Sequence, residues 1–453
     1  MSDQKETKRK RISYSHVFKV VFIIILVLMF LIPLAMIRRM VMEREARSYD
    51  AEQEIMDMWG GRQTLAGPYI AVPFRRIVRI ETEKGEKSEE VLSYFFMTPK
   101  KLDIRVDMRT EIRTRGIYDV PVYTSDIVLT GEFEEPDIGE LRLEDEDIDW
   151  DEARVILELP GLRSVETGTV LSWNGKAGEF VSNVSLLGLF DGSLQYRLEK
   201  GWRDRNRNSF AVNLKLRGAG SMSFLPFGDE TVVHLSSDWT APSFNGAFLP
   251  SERDLDDETG FRASWSVHSL ARSFPRVWKR VELDTFRIME SSFGVELFEP
   301  VDLYARTERS VKYGMLFIIL PFIAFFMMEV FTRNRIHILQ YLMVGAANTI
   351  FYLLVLSLSE HLGFNTAYVL ASAATAALII FYSAAILPGK RAGLAMAPVM
   401  TGLYVFLFTV LQSEDYALLI GSLGLFAILT LIMVLTRNIN WYALNRDQAG
   451  GEV

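Results

Sequence analysis

The sequence predicts a six-span α-helical membrane protein with a large, exported, β-dominated domain inserted between its first and second spans. Two observations predict the bundle: an apolar run near the N-terminus, and a block of apolar segments after Tyr313 that are separated by short polar loops. Each run is about 20 residues long, which is enough to span a hydrocarbon core about 30 Å thick. The third observation is the two-residue periodicity between these regions, which predicts strands.

Residues 1–15 form a basic tail, and residues 16–42 form the first predicted span, with its apolar core at 20–37. No small-residue cleavage site follows this core, so we expect an uncleaved anchor rather than a signal peptide. Pro33 lies inside the core and predicts a kink or a local break in the helical hydrogen-bond ladder.

A run of helix-forming residues from Arg38 to Trp59 predicts that the first helix leaves the membrane and ends at the glycine pair that follows. Neither end of the inserted domain has a flexible Gly/Ser-rich linker. We therefore expect this helix to act as a stalk that packs against residues 306–312, with the domain seated close above the bundle.

The inserted domain covers residues 43–311, and its strands are separated by Gly, Asp, Asn and Pro rather than by amphipathic helices. This pattern favours an antiparallel sheet or sandwich over βαβ units. A hairpin is predicted about Gly85. Further predicted strands begin near Leu102, Tyr123, Ala153, Phe180, Phe210, Thr231, Phe261 and Val295. The pattern does not decide between one subdomain and two.

Five further spans are predicted after the domain. Separate loops rule out a closed barrel, and only helices then satisfy every backbone group in hydrocarbon. The predicted spans are residues 312–331, 338–358, 366–387, 392–411 and 416–436, and a tail follows at 437–453.

The loops predict how the chain is threaded, because Lys and Arg in short loops stay in the cytoplasm. Lys or Arg occurs in the loops at 332–337 and 388–391 and in the C-terminal tail, and neither residue occurs in the loops at 359–365 and 412–415. Both termini are therefore expected in the cytoplasm, and residues 43–311 in the periplasm.

Composition and the lack of known motifs argue against several functional classes. The net charge of −8 and the lack of a basic stripe argue against nucleic-acid binding. The chain has no cysteine, and its five histidines do not show a zinc-site spacing. No nucleotide-binding or nucleophile motif is present. We therefore expect no enzymatic activity, no catalytic residues, no cofactor and no metal.

An acidic run at 132–152 leaves one alternative open. Carboxylates recur at every second residue from Asp145 to Asp151, as a calcium loop would need. Trp150 and Ile156 stand where an EF-hand loop requires Gly and Glu. A solvated acidic edge or loop is the other interpretation, since charges on an edge strand discourage aggregation.

Polar residues within or beside the spans are the candidate functional residues, because they are costly in hydrocarbon. The alternative to a functional role for Glu329 is that it is a charge at the end of the helix, paired with Arg333 one turn later. The alternative to a functional role for Asn348 is a structural hydrogen bond between helices, at a contact made by small residues. Glu360 and His361 are expected to open an external loop, where a proton-coupled role competes with a role as a loop anchor.

Several stretches resemble the family of bacterial inner-membrane CreD proteins, which are also called cell-envelope integrity or colicin-tolerance proteins. They include GPYIAVPF at 67–74 and DWTAPSFNGAFLP at 238–250, and the others lie at 31–45, 260–265, 312–314, 337–364 and 436–444. The resemblance implies an inner-membrane protein of an envelope and carbon-responsive regulon, with effects on envelope integrity and antibiotic response. It implies no catalytic residues, and the acidic run departs from it.

Two functional hypotheses remain. In the first, a non-enzymatic envelope-stress protein anchored among membrane lipids binds an unknown envelope protein or lipid partner through its periplasmic domain. In the second, a transporter or lipid-handling protein uses the bundle as a path. A path for ions or polar solutes needs several ionisable residues that converge near the bilayer midplane. Because the sequence offers mainly Asn348 there, we favour the first hypothesis.

Overall fold

The computed structural model describes residues 16–82, 85–135, 138–297, 303–332, 335–387, 393–413 and 416–437. The chain divides into two compact units, one formed by residues 1–47 with 301–453 and the other by residues 48–300. Several predicted features lie outside the described residues: the N-terminal tail, the C-terminal tail beyond Arg437, the basic residue Arg333, and the loop at 388–391.

The first unit is helical. Its elements are α1 (His16–Trp59), which ends in the second unit, α3 (Leu303–Lys312), α4 (Gly314–Thr332), α5 (Ile338–Leu362), α6 (Phe364–Ile386), α7 (Met396–Gln412) and α8 (Ala417–Thr436); α2 (Thr285–Met289) belongs to the second unit. Within the described residues, α1, α4, α5, α6 and α8 are long and apolar enough to span a membrane, and α7 is a shorter apolar helix of 17 residues. This arrangement confirms one N-terminal apolar helix and a later group of apolar helices on either side of a β domain.

The first helix passes through Pro33 as one continuous helix. The loop expected at 359–365 is mostly helical, because α5 continues to Leu362 and Gly363 alone separates it from α6. No helix-breaking residue precedes Gly363, whose φ of 73° and N–H bond to the Ser359 carbonyl end the helix. Glu360 and His361 therefore lie in the last turn of α5 rather than in a loop.

The helical unit has an aromatic core. The rings of Phe351, Tyr352 and Tyr404 are fully or almost fully buried, and the Phe351 and Tyr404 ring centroids lie 4.8 Å apart. Gly345 permits close contact with the first helix, because a side chain there would collide with the Phe30 ring. At the other extreme, α8 contributes no buried residue.

The second unit is built from two sheets. Its strands are β1 (Gln63–Thr82), β2 (Gly85–Met97), β3 (Lys101–Arg115), β4 (Tyr118–Glu134), β5 (Arg154–Leu159), β6 (Val170–Trp173), β7 (Lys176–Gly178), β8 (Val181–Val184), β9 (Gly192–Arg197), β10 (Arg207–Ala219), β11 (Ser221–Phe224), β12 (Glu230–Ser237), β13 (Pro242–Gly246), β14 (Glu252–Asp256), β15 (Gly260–His268), β16 (Val277–Lys279) and β17 (Phe293–Leu297). One sheet has the order β13-β17-β11-β1-β5-β9-β8, with β2 joined to β1 and β16 joined to β2; the other has the order β14-β15-β12-β3-β4-β10-β6-β7.

Most strand pairs are antiparallel, which confirms the prediction, and the exceptions among the described pairs are β1 with β11 and β3 with β12. The predicted hairpin is present, with Thr82 opposite Gly85. In the second sheet burial alternates along β3, β10 and β12, so one face packs into the core and the other faces outward.

Two strands, predicted over residues 180–190 and 295–305, are shorter in the structure. The run from Phe180 forms a strand only over β8, and the run from Val295 ends at Leu297. Residues from Leu303 onward form α3, whose buried Tyr304, Thr307 and Val311 follow a helical rather than a two-residue period. The alternation seen over a few residues was too short to separate strand from helix.

Candidate functional site

Glu329, near the end of α4, is buried in the helical unit with 4% of its surface exposed. Lys19 of α1 donates from Nζ to both carboxylate oxygens and, at 2.5 Å, to the Ile336 carbonyl. The Tyr341 hydroxyl of α5 donates to Glu329 Oε2 at 3.4 Å. Sequence reasoning missed Lys19, although it is the basic residue directly before the first apolar core. Three helices therefore meet at one buried ion pair.

The surroundings of this pair make it energetically important. A charge taken out of water is costly, and the pair recovers that cost only if its remaining hydrogen bonds are satisfied. Here the ammonium group has three oxygen partners and lies 5.6 Å from the centre of the Tyr341 ring. Loss of one partner would leave the other charged and buried.

Asn348 is fully buried in α5 and makes the predicted interhelical hydrogen bond. Its Oδ1 accepts from the Tyr404 hydroxyl of α7 at 3.1 Å, and its Nδ2 donates to the Val344 carbonyl at 3.2 Å. The Tyr368 hydroxyl of α6 donates to the Tyr404 carbonyl at 2.8 Å. Among the described residues, the buried Tyr352 hydroxyl has no hydrogen-bond partner. This neutral network joins α5, α6 and α7.

Glu360 lies near the opposite end of α5, where it pairs with Arg44 of α1 at 3.7 Å. The Tyr304 hydroxyl donates to its Oε1 at 3.3 Å. His361 is exposed, and within the described part of the chain no hydrogen bond or ion pair joins it to Glu360. A paired carboxylate and imidazole, which the proton-coupled role would need, is therefore not formed.

The candidate residues do not converge on one site. Tyr341, Asn348 and Glu360 all lie on α5, but 19 residues of helix separate the first from the last, or about 28 Å at 1.5 Å per residue. Each of these three side chains is also bonded to a partner on another helix. The described part of the bundle thus shows separate interhelical contacts rather than a cluster of ionisable groups near its middle.

The end of α1 is fixed in the β unit by Trp59. Its Nε1 donates to the Tyr123 carbonyl at 3.2 Å, and the guanidinium groups of Arg113 and Arg217 lie 4.5 Å and 5.4 Å from its ring centre. The N–H groups of Gly60 and Gly61 both donate to the Met56 carbonyl, which confirms the predicted helix end. Ile55 and Met56 are buried with Val120, Val122 and Ala219.

The outward face of the second sheet, here called the outer face, carries charged and hydroxyl side chains. Along β3, Asp103 pairs with Arg105 at 3.1 Å, and Asp107 with Arg109 at 3.7 Å. An open groove of about 450 Å³ crosses this face. Its polar lining residues are Arg105, Asp107, Asp126, His234, Ser236, Arg262 and Ser264. Charges of both signs alternate, so this face is balanced rather than basic.

The acidic run forms 3₁₀ turns at Gly139–Leu141, Asp145–Asp147 and Trp150–Glu152. Arg203 stacks on Trp150 with a separation of 3.8 Å and pairs with Asp145. The hydrogen bond from the Trp150 indole, together with Arg203, lowers the pKa of the Asp145 carboxyl. Within the described ranges, no group of three or more metal-binding side chains is poised to hold an ion, in this run or elsewhere.

Comparison with known proteins gives a consistent result. Residues 15–442 match the family described as inner membrane protein CreD. The chain is also 32% identical over 423 residues to the inner membrane protein CreD of Escherichia coli strain K12, and the match covers 92% of each chain. Both matches include the helical segments and the β domain between them. The chain belongs to the CreD family of inner membrane proteins.

Proposed function

We propose that this protein is a non-enzymatic envelope-integrity protein whose exported β domain binds an envelope component or partner protein and passes the resulting displacement to the membrane bundle. The main observation behind this proposal is the continuity of α1. It is one uninterrupted helix that begins at His16 in the helical unit and ends at Trp59 in the β unit.

Both halves of α1 are fixed to their own unit. In the helical unit Lys19 pairs with Glu329, and Arg38 pairs with Glu308 at 2.9 Å. The second pair joins α3 to the first helix. In the β unit Trp59 is held by the Tyr123 carbonyl. A helix fixed in this way transmits displacement along its axis, whereas a flexible linker would absorb it.

The outer face is the surface best suited to a partner. Arg262 lies in its groove and makes no ion pair among the described residues, and His234 Nδ1 is 2.9 Å from the Ser264 hydroxyl. Side chains of both charges and several hydroxyls favour a polar partner that itself carries both kinds of charge, rather than a polyanion.

A photo-reactive amino acid at Val128, which points outward from the second sheet, tests the binding surface in native membranes. Val181, exposed on the edge strand β8, is the matched control position. We expect mass spectrometry to identify one adduct, a protein or an envelope polymer, that forms at Val128 and not at Val181. Identical adduct patterns at the two positions would contradict binding at the outer face.

The proposed orientation places both termini in the cytoplasm and residues 43–311 in the periplasm, on the strength of the basic loops. The chain has no cysteine, so single cysteines can be added without background. Ser182 is exposed on β8. A cysteine there should react with an impermeant thiol reagent in intact spheroplasts, and a cysteine at Lys390 should react only after permeabilisation. Labelling of both only after permeabilisation would overturn the orientation.

The coupling itself can be tested by insertion. About ten Gly/Ser residues after Gly61 should reduce complementation of a deletion strain and increase protease sensitivity of the exported domain, because the helix would no longer be joined tightly to β1. The same insertion after Gly116, a turn glycine with open space around it, is the control. Equal complementation and equal protease resistance of the two insertions would show that rigid coupling is not used.

A further inference from the structure

Basic side chains are concentrated where the first apolar core of the helical unit ends. Residues 38–47 of α1 follow this core, and α3 precedes α4 and is joined to α1 by the Arg38–Glu308 pair. The two segments contain seven basic residues against three acidic ones. The basic residues are Arg38, Arg39, Arg44, Arg47, Arg306, Arg309 and Lys312, and the acidic residues are Glu43, Glu45 and Glu308. The excess of positive charge remains when Glu360, the partner of Arg44, is counted.

Part of this charge lies at the level of a membrane surface. Arg38 directly follows the apolar core of α1, and Lys312 lies two residues before α4. Between them, α3 buries Tyr304, Thr307 and Val311 on one side and is polar on the other. Such a helix, placed directly before a span, is typical of one that lies along the membrane interface. Phospholipid phosphates occupy the same level of the bilayer.

One carboxylate fixes two of these cations. Arg38 donates from Nε and Nη2 to Glu308 Oε1 at 3.1 Å and 2.9 Å, and Lys312 Nζ lies 3.5 Å from Glu308 Oε2. Both basic side chains are still about half exposed. In the described part of the chain, neither Arg38 Nη1 nor the exposed Arg39 has a hydrogen-bond or ion-pair partner. Three cations, here called the interfacial cluster with Glu308, therefore share one acid and keep donors that face outward.

A phosphate is the anion that suits these donors. A guanidinium group presents two N–H groups to two phosphate oxygens, and an ammonium group adds a compact point charge. In the proposed orientation the interfacial cluster lies on the exported side, where segments beside spans usually contain few Lys or Arg. Basic residues beside a span attract anionic headgroups by about 1 kcal/mol each. A lipid phosphate is also confined to the level of the cluster, whereas a free phosphate must be drawn from dilute solution.

We propose that Arg38, Arg39 and Lys312 bind the headgroup phosphate of an anionic phospholipid in the leaflet beside the end of the α1 apolar core. Glu308 is a positioning residue that holds two of the three cations in place. The bound lipid contacts both α1 and α3. The proposal does not depend on partner binding at the outer face, because it rests on contacts within the helical unit alone.

Native mass spectrometry of the full chain, extracted from bilayers with equal amounts of phosphatidylglycerol and phosphatidylcholine, tests the proposal. We expect phosphatidylglycerol to be retained preferentially. The combined variant Arg38→Gln, Glu308→Gln and Lys312→Gln removes one net positive charge and should lower phosphatidylglycerol occupancy about tenfold. Arg47→Gln is the matched control, because it removes the same net charge from an exposed position about 14 Å further along α1. It should leave occupancy unchanged. Equal losses in the variant and the control would show general attraction to charge and would overturn the proposal.

Arg39→Gln breaks no ion pair of the described residues, so it tests the site even if the combined variant unfolds in circular dichroism melting. We expect it to lower phosphatidylglycerol occupancy about fivefold. An unchanged ratio of the two lipids would overturn the proposal. Inorganic phosphate, added at the concentration of the lipid, should not displace phosphatidylglycerol. Displacement would show that the cluster binds free phosphate and would overturn the lipid assignment.

Discussion

The two halves of α1 are held by different combinations of contacts. From His16 to Arg47 the helix belongs to the membrane unit, where Leu26, Phe30 and Leu34 pack into the apolar core and charge pairs join the helix to Glu329, Glu308 and Glu360. From Ser48 to Trp59 it belongs to the β unit, where buried Ile55 and Met56 and the Trp59 ring hold it. The membrane half therefore adds charge pairs, one of them buried, to its apolar packing, whereas the β half depends mainly on apolar side chains and the Trp59 ring.

The contrast follows from the solvent that each half faces. In hydrocarbon, apolar contact between helices gains little over contact with lipid, so association depends on packing and polar contacts. Outside the membrane, removal of apolar surface from water supplies the main driving force. The substitutions below test this contrast in order of decreasing effect.

Glu329→Gln should have the largest effect, because it leaves Lys19 charged and buried without its partner. Breaking a buried pair in this way costs about 3–5 kcal/mol. The measurement is thermal unfolding of the purified protein in detergent. Lys19→Met combined with Glu329→Leu removes both charges and should recover most of the loss. If the single and double variants were equally unstable, packing rather than charge would explain the effect.

Trp59→Ala should destabilise the attachment of α1 to the β unit by about 2 kcal/mol, since it removes a partly buried ring, an indole hydrogen bond and two arginine contacts. Limited proteolysis near the end of α1 measures the effect. Tyr49→Ala, at an exposed position of the same helix, is the control and should change little. Similar cleavage rates for the two variants would mean that Trp59 is not the anchor.

Tyr404→Phe separates neutral from charged contacts within the same bundle. It removes the hydroxyl that donates to Asn348 and keeps the ring that packs on Phe351. We expect a loss of about 1 kcal/mol, well below that of Glu329→Gln. The same thermal unfolding assay applies. A loss as large as that of Glu329→Gln would contradict the view that charge dominates in this unit.

The Arg38–Glu308 pair should give the smallest effect, and it should depend on pH. Hydrogen bonding from Arg38 lowers the pKa of Glu308 below its usual value of about 4.5. The pair is therefore fully stabilising above that pH and loses its contribution as pH falls through the lowered pKa. Glu308→Gln should be less stable than the wild type at pH 7, and the difference should narrow below pH 4.5. If the stability difference between Glu308→Gln and the wild type did not change with pH, the Arg38–Glu308 pair would not be its cause.

The sequence predicted those elements whose signal is local and strong. The glycine pair Gly60–Gly61 predicted the end of α1, and long apolar runs with almost no charged residues predicted the helical bundle. Contacts between distant residues were not predictable: Lys19 and Glu329 are 310 positions apart, and no pattern in the chain relates them. The end of α5 was also missed, because Glu360 and His361 are polar enough to suggest a loop although they continue the helix.

The single residue between α5 and α6 has a consequence for how the protein is made. Gly363 leaves no length of chain that could let one helix enter the bilayer and settle before the other emerges. We expect the two helices to insert as a hairpin in one step, with Glu360 and His361 at its tip. During synthesis the translocation machinery would therefore handle them as one unit of about 49 residues, from Ile338 to Ile386. A longer connection at this tip would let the two helices insert separately. Membrane insertion therefore favours a connection as short as Gly363.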